Sequence, residues 1–167
     1  ILGSGLGGFA DSIEERVAIP YCDIPHFPVA SVPLHAGQLV VGRLGGEPVV
    51  AMQGRVHFYE GYTAAQVAFH TRVLCALGTK VLVVTNAAGA INRSFRVGDF
   101  MAITDHLNFA GWNVLHGPND DRLGTRFPDL SQAYDPTLVR LLCEIAGRLQ
   151  IDLKKGVYAM ASGPSYE

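Results

Sequence analysis

Residues able to do chemistry gather in a few short stretches. In GRVHFYEGY, Arg55, His57 and Tyr59 stand at i, i+2 and i+4, so an extended chain would project all three side chains from one face. A guanidinium fork suits a tetrahedral oxyanion, an imidazole adds a hydrogen bond, and a phenol ring offers an aromatic face to a sugar. The opening ILGSGLGG sets Ser4 in a glycine turn. VVTNAAGAIN carries an apolar run into small residues, with the backbone at Ala87 and Ala88 open to approach. Each pattern also has an ordinary reading as a solvated strand edge, a turn needing positive φ, or a tight strand-to-loop junction.

Gly3, Gly5 and Gly8 satisfy G-x-G-x-x-G, the spacing of a dinucleotide loop. That fold needs a full helix after the loop, then a parallel strand ending in an acidic residue. Asp23 stands near the required distance. However, FADSIEERVAIPYCD leaves room for at most a two-turn helix, and Pro20 and Pro25 flank the supposed strand end. The narrower expectation is a strand, a glycine turn and a short helix, whose N–H groups and Ser4 hydroxyl hold one phosphate. His35, in VPLHAG, follows a proline-stiffened connection and can lie near the same anion. His26, His70, His106 and His116 have ordinary core or surface readings. Tyr166 and Glu167 place an aromatic beside a carboxylate, which suits stacking on a heterocycle or a simple capping turn.

Composition narrows the classes. The chain has 167 residues, 49% of them hydrophobic and 17% charged, with a net charge of −2. Those values describe a globular chain able to bury a core as one domain over residues 1–167. No basic run supports a nucleic-acid partner, and no apolar stretch is long enough for a membrane helix. Cys22, Cys75 and Cys143 lie far apart without metal-ligand spacing, so neither a metal site nor a disulfide framework is expected, and the compartment reads as reducing. The first residue is Ile, inside an apolar run, and the last residues are GPSYE. The expectation is a natural protein longer at both ends, and little activity from this segment alone.

The elements that must position these residues follow from pattern. QLVVGRL and PVVAMQG read as strands of a hairpin turning at Gly45-Gly46. Thr63 and Gln66 have capping-box spacing, and Val67, His70, Val73, Leu74 and Leu77 recur at helical intervals up to Gly78. KVLVVT is wholly apolar in its middle and reads as a strand buried on both faces. FMAIT and GVYAMA read as further strands. Between them Asp135-Pro136 caps a helix with Leu138, Leu141, Leu142, Ile145 and Leu149 on one side. Strands alternating with helices, plus one hairpin, indicate an α/β fold with a mixed central sheet.

Taken in order, GSGLG, HAG, GRVHFYEGY, VTNAAGAIN, DHLNFAG, GPNDDR, RFPDLSQAYD and GPSYE resemble the purine nucleoside phosphorylases of the homotrimeric class, along the whole chain. The resemblance implies a three-layer α/β sandwich around a mixed, partly barrel-like sheet. It also implies reversible phosphorolysis of purine ribo- or deoxyribonucleosides, with 6-oxopurines such as inosine and guanosine favoured. Ser4, His35, Arg55, His57 and the backbone at Ala87 would bind phosphate, and Tyr59 would contact ribose. Tyr166, at a position commonly Phe, would stack on the purine, and Glu167 would accept its ring N–H. His57 and Glu167 are the catalytic candidates. Phe127 matches an aromatic that reaches into a neighbouring subunit's site, and Leu34 stands where several members have Gly. No metal or organic cofactor is implied; orthophosphate is a co-substrate, the assembly a homotrimer and the setting cytoplasmic. Methylthioadenosine phosphorylase and a noncatalytic nucleoside- or phosphate-binding relative remain alternatives; a dinucleotide-binding module fits least.

Overall fold

The structure is a computed structural model that describes residues 1–29 and 36–165. The chain forms two compact units, one of Ile1–Ala88 with the residues from Pro164, the other of Gly89–Gly163.

The first unit is built on an antiparallel sheet of β1 (Glu14–Pro20), β2 (Gln38–Leu44) and β3 (Glu47–Gln53), in that order. Strands β2 and β3 close through Gly45 and Gly46 at φ 58° and 83°, the double positive φ of a type I′ turn. Alternation then sorts the side chains. Leu39 and its partner Met52 join Tyr21, Phe27 and Leu74 in one buried cluster, while Val40 and its partner Ala51 join Ala10 and Ile13 in another. Helix α1 (Ala64–Ala76) supplies Leu74 to the first cluster. Its start is the expected box: Gln66 N–H donates to Thr63 Oγ1 at 3.3 Å, and Gln66 Oε1 accepts from Thr63 N–H at 2.9 Å.

Strand β1 lies where only a short helix and a stiff connection were expected. The helix shrinks to a 3₁₀ turn, Gly7–Ser12, and the chain then pairs antiparallel with β2 through a bulge between Glu14 and Val17. Gly42 permits that crossing, since a Cβ there would lie 2.4 Å from the Glu14 carbonyl oxygen. An antiparallel strand also breaks the parallel unit that a dinucleotide fold requires. Its side chains are mostly exposed, which is why no burial pattern announced it.

In the second unit, β4 (Phe100–Asn108) and β5 (Leu153–Met160) pair in parallel, joined by a crossover containing α2 (Pro136–Arg148). The Asp135 carboxylate accepts from the N–H groups of Thr137 and Leu138 at 2.7 and 3.1 Å, with Pro136 as the first helical residue.

The α/β class stands, with antiparallel and parallel sheets, but the described strands close no barrel. KVLVVT also departs from expectation: residues 81–85 make no regular strand, and Val81, Leu82, Val83 and Val84 are exposed. A strand exists only through its neighbours. Here the Val83 carbonyl and the Thr85 N–H both bond to Ile1, too few bonds for a ladder among the described residues. Among the described residues, no helix is long and apolar enough to cross a membrane.

Candidate functional site

Thr85 ties together the segments that carry the candidate residues. The chain start runs beside the end of β3, where Leu2 N–H donates to the Met52 carbonyl at 3.0 Å. On its other side, the Ile1 nitrogen donates to Val83 O at 2.7 Å, and Thr85 N–H donates to Ile1 O at 3.2 Å. Gly3 N–H then donates to Thr85 Oγ1 at 2.8 Å. The two backbones are so close that a Cβ on Gly3 would meet Thr85 O at 2.5 Å and Asn86 Cα at 2.9 Å. Gly3 is therefore required by contact, whereas Gly5, at φ 82°, is required by its turn. Gly8 meets nothing within 4 Å, so the third glycine of the fingerprint lacks the packing role that a dinucleotide loop gives it.

Ser4 opens the turn closed by Leu6 N–H donating to Gly3 O at 3.1 Å, and its side chain is exposed. Arg55 joins the same knot: its Nη1 donates to the Thr85 carbonyl at 3.1 Å. Ala87, exposed, follows Thr85 by two residues. Ser4, Arg55 and Ala87 thus all lie within two residues of groups bonded to, or packed on, Thr85. The tie explains how stretches 30 and more residues apart come to share one place.

His57 and Tyr59 are brought together differently from the expected i, i+2, i+4 display. His57 is extended, at φ −117° and ψ 153°, but Phe58–Glu60 forms a single 3₁₀ turn. The turn swings Tyr59 back, and its ring stacks on His57 with centroids 4.9 Å apart and planes 14° from parallel. Glu60 closes the arrangement. Its Oε1 accepts from His57 N–H at 2.6 Å and lies 3.1 Å from Nδ1, with the carboxylate side chain only 2% exposed. Such a contact puts the ring proton on Nδ1 and fixes the ring plane.

Glu60 was passed over in the sequence. Its signal is the spacing His57-x-x-Glu60, a capping box in which the cap is a histidine. Thr85 likewise carried no signal, because a threonine at the end of an apolar run is commonplace.

Phe127 belongs to the second unit, on the loop after β4, and is 85% exposed. Its neighbour Arg126 staples that loop, donating from Nη1 to the carbonyls of Leu115 and Gly117, each at 2.8 Å, with the guanidinium carbon 5.8 Å from the Phe127 ring centre. His35, Tyr166 and Glu167 lie outside the described residues, as does Leu34.

Chemically, a polar turn, a guanidinium and a histidine held by a buried carboxylate are groups able to hydrogen-bond a tetrahedral oxyanion, and an aromatic ring stacks on the histidine. Among the described residues, no group of three His, Cys, Asp or Glu side chains is placed to hold a metal ion.

The model of the phosphorylase superfamily matches residues 1–167. The chain is 58% identical over 167 residues to purine nucleoside phosphorylase 1 of Bacillus subtilis (strain 168), covering 100% of this chain and 62% of that protein. Among solved structures, isoform 2 of purine nucleoside phosphorylase from Schistosoma mansoni, in complex with cytosine and ribose-1-phosphate, superposes with a TM-score of 0.92 at 50% identity, over 99% of this chain and 60% of the other. The Schistosoma mansoni enzyme in complex with inosine superposes with a TM-score of 0.92 at 46% identity, over 98% of this chain and 59% of the other. The chain spans about 60% of the length of these proteins.

Proposed function

Because the chain belongs to the phosphorylase superfamily, we propose that the protein it comes from catalyses the reversible phosphorolysis of purine nucleosides, yielding a free purine and a pentose 1-phosphate. The observation that carries the proposal is the knot at Thr85, where Arg55, the Gly3–Ser4 turn and the approach to Ala87 are held together by hydrogen bonds and close contact.

In this reading Ser4, His35, Arg55, His57 and the Ala87 backbone hold orthophosphate, Tyr59 lies against the ribose, and Tyr166 and Glu167 receive the purine. Phosphate is the nucleophile: its oxygen forms a bond to C1′ of the sugar as the bond from C1′ to the purine nitrogen breaks. Positive charge develops on the sugar ring, and a fixed phosphate dianion beneath it both stabilises and captures that charge. The electron pair of the broken bond passes into the purine, which takes up a proton, and the Glu167 carboxylate orients the base for that step. The contact between His57 and Glu60 supports the role of His57, since a ligand-binding imidazole must hold one tautomer and one plane.

The inosine and ribose-1-phosphate complexes of the schistosome proteins support 6-oxopurine nucleosides as substrates and the sugar phosphate as product. Phe127, exposed on a stapled loop, is assigned to a neighbouring copy's site in a homotrimer. A reducing, cytoplasmic setting belongs to the same reading, as the wide spacing of Cys22, Cys75 and Cys143 suggests.

The test is phosphate-dependent release of hypoxanthine from inosine by the longest natural chain, with methylthioadenosine as competing substrate and Arg55→Ala as the site variant. Turnover that needs phosphate, prefers inosine and falls by about a hundredfold or more in the variant supports the reading. A folded protein inactive on every purine nucleoside refutes it.

A further inference from the structure

Tyr21 is fully buried at 0% exposure, and opens a 3₁₀ turn, Tyr21–Asp23, at the end of β1. Its two ends bond to two different loops. The backbone N–H donates to the Gly37 carbonyl at 2.8 Å, and the phenol O–H donates to the Gly54 carbonyl at 2.7 Å. Gly37 follows His35 by two residues in the sequence, and Gly54 immediately precedes Arg55. The bridge is closed by a third bond, from Gly37 N–H to the Gln53 carbonyl at 3.0 Å.

The Gly54 bond falls where the ladder has stopped. Strand β3 ends at Gln53, and Gly54 turns away at φ 104°. Its carbonyl lies in the same rigid peptide plane as the Arg55 N–H, so whatever holds that oxygen fixes the direction in which Arg55 leaves the sheet. The Tyr21 hydroxyl does this. The ring cannot swing aside, because Phe27 and His70 stand against it with centroids 5.2 and 5.3 Å away. Burial also drives the phenol far above its ordinary titration range, so the hydroxyl keeps its proton at any physiological pH.

We infer that Tyr21 is a positioning residue for phosphate: one buried residue whose backbone holds Gly37 and whose hydroxyl fixes the Gly54 peptide that leads into Arg55. The inference rests on the reading of Arg55 as a phosphate ligand. It adds a residue that would never touch substrate.

Tyr21→Phe in the longest natural chain tests it, because the ring stays and only the bond to Gly54 is lost. The expected result is a rise in KM for phosphate of about five- to tenfold, with KM for inosine and kcat within about twofold. The rise in melting temperature produced by phosphate should shrink in parallel. Gly54→Ala, which disturbs the same peptide plane from the other side, should raise KM for phosphate as well and provides the readout if Tyr21→Phe does not fold. A variant that merely melts earlier or loses active fraction, with unchanged KM for phosphate, overturns the inference. Arg55→Ala separates the two levels. If it raises KM for phosphate while neither Tyr21→Phe nor Gly54→Ala does, only the positioning role falls. If it does not, the phosphate-site reading falls and takes the inference with it.

Discussion

A single oxygen of Glu60 holds His57 at two points, 2.6 Å from its backbone nitrogen and 3.1 Å from Nδ1. The first contact caps a turn and the second orients an imidazole, so replacing Glu60 tests both roles separately. Glu60→Gln keeps an oxygen able to accept from the backbone but removes the charge facing the ring. It should leave the fold intact and lower kcat/KM for phosphate by about tenfold, or ~1.4 kcal/mol. Glu60→Ala should show the same kinetic loss plus a stability cost of about 1 kcal/mol for the missing cap. Unchanged kinetics in both variants would mean that His57 needs no partner.

The glycines of the opening loop should differ sharply in tolerance. Gly3→Ala drives a methyl group into the Thr85 and Asn86 backbones and should cost about 1–3 kcal/mol. Gly5→Ala meets open space but must hold a positive φ, at roughly 1–2 kcal/mol. Gly8→Ala has neither problem and should be neutral or stabilising by up to about 1 kcal/mol. Chemical denaturation of the three variants checks the order, and equal losses at Gly3 and Gly8 would contradict it.

His70 makes stability depend on acid. It is 2% exposed, packed edge-on against Phe27 at 4.6 Å, with Nε2 3.1 Å from the Pro28 carbonyl. Burial lowers its pKa, and hydrogen bonds to the carbonyls of Pro28 and Val67 only partly oppose that. The unfolded chain therefore binds the proton first. Stability from this group is fully present above the ordinary histidine value of about 6.5 and is lost as pH falls from there through the lowered folded value. His70→Gln should flatten that part of the profile, measured as denaturation midpoints between about pH 8 and about pH 5. A slope identical to that of the parent would place the titration elsewhere.

Arg126 should control the loop that presents Phe127. Removing its bonds to Leu115 and Gly117 in Arg126→Ala frees the chain between, and limited proteolysis should cut within residues 115–127 several-fold faster, roughly as expected for loss of one to two hydrogen bonds. Phe127→Ala should leave the melting temperature unchanged, because the exposed ring contributes little to its own unit. If the longest natural chain assembles so that the ring closes a neighbour's site, the variant should raise KM for the nucleoside by about tenfold. An unaltered KM would remove Phe127 from the site.

Features governed by a few neighbouring residues could be read from the chain directly. The Gly45-Gly46 hairpin, the Thr63–Gln66 box and the Asp135-Pro136 start all depend on backbone geometry that their own side chains dictate, and each stands where its residues place it. Strand β1 was not legible, because its register is set by β2 and by the space that Gly42 leaves, not by its own burial. KVLVVT misled for the converse reason: apolar content reports a preference to be covered, while a strand also needs backbone partners on its flanks.

The sequence by itself determined which chemical groups were available, the order in which they occur, and the local turns that carry them: Arg55, His57, Tyr59, the Ser4 turn and the small residues at Ala87. Their juxtaposition was decided only in three dimensions. Hydrogen bonds from Gly3 and Arg55 to Thr85 span 82 and 30 residues, and no local rule relates positions so far apart. Glu60 beneath His57, and Tyr21 between Gly37 and Gly54, belong to the same category. Side chains of ordinary type acquire their roles there because burial reduces the competition of water for their hydrogen bonds.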